Sequence, residues 1–179
     1  TKKPELEKVE ALKLKKTKEE DMPSDELVIF NLREKKETID SLKSYKLSES
    51  ADWIAYRRNS KSDTVLHVRA LDGSKEMSFS DVKEFGFARK SNILYYSTDS
   101  TLCTYNPDKG SSLIFEGKGI ISKVTFNETG NKIAFLHCPD KDSTNTLYSL
   151  YLAENNTSAR PIADKKDNFL PAGWVISGN

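Results

Sequence analysis

The chain has 179 residues, 36% apolar and 31% charged, a composition suited to a soluble globular domain. Its 28 basic and 27 acidic side chains leave a formal net charge of +1, so no positive field gathers phosphate backbones and no nucleic-acid partner is expected. No apolar run approaches the roughly 18 residues that span a bilayer, and the Lys-rich start lacks the apolar core of a signal peptide, so export would be encoded upstream.

Residues 1–24 carry seven Lys, six acidic residues and no aromatic residue. Leu6, Val9 and Leu12 recur at a spacing of three and Pro4 suits a first helical turn, which predicts a charged linker or a short helix from about Glu5 to Lys15. Pro23 ends that segment. From Glu26 onward, short runs of alternating apolar and polar residues are separated by Gly, Asn, Asp and Ser, the pattern of consecutive antiparallel strands.

Four strand types recur in order. The first is Tyr45-x-Leu47, Phe85-x-Phe87 and Val124-x-Phe126; the second is Trp53 to Tyr56, Ile93 to Tyr96 and Lys132 to Phe135. The third is led by Leu27, Leu66, Leu102 and Leu147. The fourth is Thr38-Ile39, Met77 to Phe79, Leu113 to Phe115 and Arg160 to Ile162. Turns such as Asp72-Gly73-Ser74 and Asp108-Lys109-Gly110 join the third to the fourth, with Gly supplying positive φ. The anchors Leu47, Phe87 and Phe126 repeat every 40 and then 39 residues, within the range of a four-stranded propeller blade.

The expected fold is therefore all-β, a partial β-propeller over residues 25–179. Whole blades are predicted at about Leu42–Ser80, Asp81–Glu116 and Gly119–Ala163, with half blades at Glu26–Asp40 and Asn168–Asn179. Leu47, Trp53, Tyr56, Phe87, Tyr96, Phe126 and Phe135 are read as structural anchors that pack between blades, because they recur at matching positions with period two. Repeat units bury their apolar faces only against neighbours, so open blades are expected to self-associate through their edges.

Phe126-Asn-Glu-Thr-Gly-Asn-Lys-Ile-Ala-Phe135 resembles the aromatic-Ser-Pro-Asp-Gly-Lys-x-Ile-Ala-aromatic repeat of propellers in bacterial exported proteins, and Leu47 to Tyr56 is a weaker copy. The arrangement from Leu27-Val-Ile-Phe-Asn-Leu32 through Trp53-Ile-Ala-Tyr56 to Leu170-Pro-Ala-Gly-Trp174 is similar to the N-terminal propeller of prolyl oligopeptidase family serine peptidases. That resemblance implies a propeller gating peptide entry to a hydrolase domain in cis, in an exported, periplasmic or envelope protein. It also implies that the parent, not this chain, is the enzyme. A stand-alone exported propeller binding other proteins is the alternative.

No catalytic, cofactor or metal residue is assigned. Gly173-Trp-Val-Ile-Ser177-Gly178 lacks the spacing of a nucleophile elbow and no His follows it. His67 and His137 fall in different blades, and Cys138 beside His137 would point to the opposite strand face. Cys103 and Cys138 are expected as separate half-buried thiols. Asp140 to Asn145 lacks the Gly and Glu of a calcium loop, and the acceptor patterns at Asn127 and Asn155 are given no role. Arg57 and Arg58 follow a second strand, where a docking partner would meet them. No acid recurs at the repeat positions, against a sugar-cleaving site.

Overall fold

The computed structural model describes residues 1–16, 23–30, 36–58, 65–139 and 148–164. One helix, α1 (Leu6–Leu14), stands in the predicted charged segment and buries none of its residues. Everything else that is regular among the described residues is antiparallel strand: β1 (Asp25–Phe30), β2 (Lys36–Leu47), β3 (Trp53–Arg58), β4 (Leu66–Ala70), β5 (Glu76–Phe79), β6 (Glu84–Phe87), β7 (Leu94–Ser97), β8 (Thr101–Asn106), β9 (Gly110–Glu116), β10 (Ile120–Phe126), β11 (Lys132–Cys138), β12 (Ser149–Glu154) and β13 (Arg160–Ala163). They form three sheets in sequence order, β1 to β5, β6 to β9 and β10 to β13. The expected terminal half blade at Asn168–Asn179, like Leu170 to Trp174 and the loop at Asp140, lies outside the described residues.

One expectation is corrected in the first sheet. The sequence breaks into two strands at Asp40, whereas β2 runs unbroken through it for 12 residues. Ser41, at φ 57°, takes up the bend, and the register against β1 shifts between Asp25 and Leu27. A bulge of this kind adds one residue and turns the strand without ending it. Left-handed residues recur where each fourth strand leads into the next first strand: Ser41, Asp81 (φ 58°) and Gly119 (φ 129°).

The chain divides into two compact units, Thr1–Lys46 with Ile54–Ser80, and Leu47–Trp53 with Asp81–Asn179. In the first, Leu27, Ile39 and Leu42 form a core with Ile54 and Tyr56, to which Ile29 and Leu71 are added. The predicted third and fourth strands of the half blade thus share one sheet and one core with the second strand that follows. In the same unit Arg69 on β4 pairs with Glu37 on β2, and that hydrogen bond holds the Glu37 carboxyl below its ordinary range.

In the second unit the core joins the second and third sheets. Phe135 is fully buried, lies parallel to Tyr151 at 5.3 Å between ring centroids, and meets Phe115 edge-on at 5.2 Å. Leu102, Ile114, Ile133 and Ala153 close around them, and Tyr95 meets Phe126 at 5.8 Å. Burying each such large side chain contributes on the order of 1.5–3 kcal/mol.

The turns between first and second strands are built alike. The backbone N–H of Ser48 donates to Trp53 O (2.9 Å), that of Ala88 to Ile93 O (2.9 Å) and that of Asn127 to Lys132 O (3.0 Å). Ser48 Oγ accepts from the Trp53 N–H at 3.1 Å and Asn127 Oδ1 from the Lys132 N–H at 2.9 Å, so different side chains do one task. Ala88 has no such acceptor, and Ser91 Oγ takes the Ile93 N–H at 3.4 Å.

Gly130 sits at φ 73° and Ala51, its counterpart, at φ 55°. An alanine there costs about 1–2 kcal/mol against a right-handed residue, while glycine costs about 0.5–1 kcal/mol in chain entropy. Ala51→Gly is expected to stabilise the protein by about 0.5–1 kcal/mol, read as a higher urea midpoint; an unchanged or lower midpoint would contradict the assignment of strain to Ala51.

Candidate functional site

The turns at 48–52, 88–92 and 127–131 touch in a row within the second unit. Ser50 Oγ donates to Asn92 Oδ1 at 2.8 Å, and the Lys90 N–H donates to Glu128 O at 3.0 Å. This end of the strands is tied by polar contacts. At the opposite end the connections 80–83, 98–100 and 117–119 surround a cleft of about 210 Å³, lined by Lys83, Glu84, Ser97, Thr98, Asp99 and Gly119 to Ile121.

Local chemistry explains each wall of the cleft. Thr98 Oγ1 accepts from the Ser100 and Thr101 N–H groups at 3.3 and 3.1 Å, an ST-type turn that fixes the 98–100 loop. The Lys83 N–H donates to Ser97 O at 2.7 Å, and Gly117 N–H to Ser100 O at 2.8 Å, which secures the two crossovers against that loop. His137 braces the third wall: its Nε2–H donates to Lys118 O at 2.9 Å, and its ring lies 4.7 Å from that of Phe115.

The rim is charged, and one of its carboxylates, that of Glu84, is met by the Tyr95 hydroxyl. Lys83 Nζ stands 3.6 Å from Asp99 Oδ2, and the Tyr95 hydroxyl donates to Glu84 Oε1 at 3.1 Å. Burial, followed by the nearby Glu84 charge, drives the Tyr95 hydroxyl far above the ordinary phenol range, so it stays a donor. Such a set can hold a polar group by hydrogen bonds and ion pairing. His137 stands behind this set, its Nε2 engaged by the Lys118 carbonyl.

The predicted anchors divide by environment. Trp53, Tyr56, Tyr96 and Phe135 are buried, and Phe87 and Phe126 are half-buried. Trp53 meets Tyr105 edge-on at 6.3 Å. Leu47 is 49% exposed and is corrected as an anchor: it closes β2 at the mouth of the turn, and the next residue, Ser48, goes inward instead. His67 stacks on Tyr56 at 5.1 Å and faces Ser78 Oγ through Nδ1 at 3.2 Å, on a different sheet from His137.

Cys103 on β8 is half-buried and Cys138 on β11 is buried; they form no disulfide. Arg57 is half-buried, its Nε–H reaching Ser44 Oγ at 3.5 Å, while Arg58 is exposed. Asn127 Nδ2 is spent on Thr129 Oγ1 and Asn131 Oδ1. Among the described residues no group of three or more His, Cys, Asp or Glu could hold a metal ion, and no helix is long and apolar enough to cross a membrane.

The cleft residues escape the repeat pattern because they sit in crossovers or at the ends of strands, away from the repeating anchors. The one available signal is the mostly polar stretch from Ser80 to Glu84, interrupted by the buried Val82.

No protein-family model matches the sequence, and no curated protein matches it. Several solved structures are similar, and two of them are propeller-bearing or peptidase structures. The β-propeller domain of the trilobed protease from Pyrococcus furiosus, described as having an open velcro topology, matches at 14% identity with a TM-score of 0.55, over 78% of this chain and 48% of that one. Pyrococcus horikoshii acylaminoacyl peptidase matches at 14% identity with a TM-score of 0.51, over 78% of this chain and 28% of that one. The chain spans about half of the first and about a quarter of the second. At that identity the likeness shows the fold, and the fold is that of a β-propeller built from four- and five-stranded antiparallel sheets.

Proposed function

We propose that this chain is a non-catalytic propeller segment of a prolyl oligopeptidase-like serine peptidase, and that it restricts peptide access to a hydrolase domain in the same polypeptide. The observation that carries the reading is the likeness to a protease propeller and to an acylaminoacyl peptidase, joined to a cleft lined by polar and charged groups. The cleft belongs to loops at one end of the strands, where a partner domain or a passing peptide would meet it. Export to a bacterial periplasm or envelope, and self-association through open blade edges, belong to the same proposal and rest on the sequence resemblance and on repeat packing.

Gating has a direct kinetic signature. The parent protein should hydrolyse short peptides and lose kcat/KM steeply as the substrate lengthens, with folded proteins resistant. A parent that cleaves folded proteins and short peptides alike would remove the gating role.

A further inference from the structure

We propose that the outer edge of β1 is a strand-accepting site, filled by an extended segment continuous with Thr1, so that α1 is an insertion between the second and third strands of one blade. The inference rests on strand pairing and is independent of the peptidase reading. In the complete sheets the third strand has a partner on each side: β4 lies between β3 and β5, β8 between β7 and β9, and β12 between β11 and β13. β1 has the sequence pattern of a third strand but ends its sheet, paired along its length with β2 alone.

Its other edge is already used at one point. Lys2 N–H donates to Glu26 O at 2.8 Å and Glu26 N–H donates to Lys2 O at 2.9 Å, an antiparallel bridge with both backbone bonds made. Their side chains add an exposed ion pair at 3.8 Å. Backbone groups alternate sides along a strand, so Val28 and Phe30 turn their N–H and C=O to the same edge as Glu26. Among the described residues nothing but Lys2 pairs there.

The bridge fixes both direction and register. Antiparallel pairing from Lys2 and Glu26 sets Thr1 opposite Leu27, and sets the first and third residues joined ahead of Thr1 opposite Val28 and Phe30. Beyond Glu26 the edge holds no charge, Lys or Pro, and Phe30 is 75% exposed, so its Val28 to Phe30 half is open to pairing. An extended strand of alternating apolar residues is the chemistry that fits it.

The test adds Thr-Val-Thr-Val ahead of Thr1 in the 179-residue chain and follows amide hydrogen exchange at Val28 and Phe30, beside the chain as it stands and a Pro-Gly-Pro-Gly extension. The β-forming extension should slow exchange at both amides by about tenfold or more, the equivalent of one net backbone hydrogen bond, with no dependence on protein concentration. The Pro-Gly extension should leave them unchanged. Equal exchange in all three proteins would overturn the proposal. So would protection in the β-extended chain that grows with concentration, which would assign the edge to a second copy of the chain.

Discussion

Phe135→Ala should destabilise the second unit by about 3–5 kcal/mol, the largest single-residue effect expected in the core. Phe135 has no exposed surface, and its ring is held between Tyr151 in parallel stacking and Phe115 edge-on. Those neighbours stand on strands whose registers are fixed by backbone pairing, β11 with β12 and β8 with β9, so they cannot close on the space left behind. The loss therefore combines the transfer energy of the ring with a cavity that stays open. Leu47→Ala removes a side chain that is 49% exposed, and its cost should be about 0.5 kcal/mol. Urea unfolding followed by tryptophan fluorescence would separate the two. Similar midpoints for both variants would contradict the placement of Phe135 at the centre of the packing.

Gly119→Ala should cost about 3 kcal/mol or more, from strain and collision together. Gly119 lies at φ 129°, a conformation that L side chains rarely adopt, at the crossover from the second sheet into β10. A methyl group there would collide with the carbonyl oxygen of Cys138 and stand 2.7 Å from the Cα of Pro139. Both contacts are with backbone, which cannot rotate aside as a side chain would. The crossover would have to move, and with it the Lys118 carbonyl that His137 holds and one wall of the cleft. Gly73→Ala gives a contrast: its φ of 78° is unfavourable, but nothing lies within 4 Å of the added carbon, so it should lose only about 1–2 kcal/mol. Equal losses at the two glycines would mean that conformation alone sets the cost and that the close approach at Gly119 does not matter.

The repeat was legible because blade strands alternate and their anchors return at nearly constant spacing. Phe126 to Phe135 carries the turn and both flanking strands in ten residues, and the β10–β11 hairpin forms there. Ser48 and Asn127 show why identity could fade while pattern held: the turn asks for a side-chain oxygen at that position, and either residue supplies it. What the sequence hid has physical causes as well. Asp40-Ser41 reads as a strand break because polar residues stand together, yet a single left-handed Ser41 lets the backbone ladder pass through. Leu47 reads as an anchor by period, but it stands at the strand end, where exposure depends on the turn. The cleft was illegible because Asp99 and Gly119 lie far in sequence from Lys83 and Glu84, and only folding brings them together.

The most direct test of the central claim is to label the protein encoded by the whole reading frame with a serine-directed fluorophosphonate and to map the modified peptide. A propeller segment of a serine peptidase gives a labelled parent whose modified serine lies outside residues 1–179. A label on a serine within these residues, or a folded full-length protein that takes no label, would contradict it.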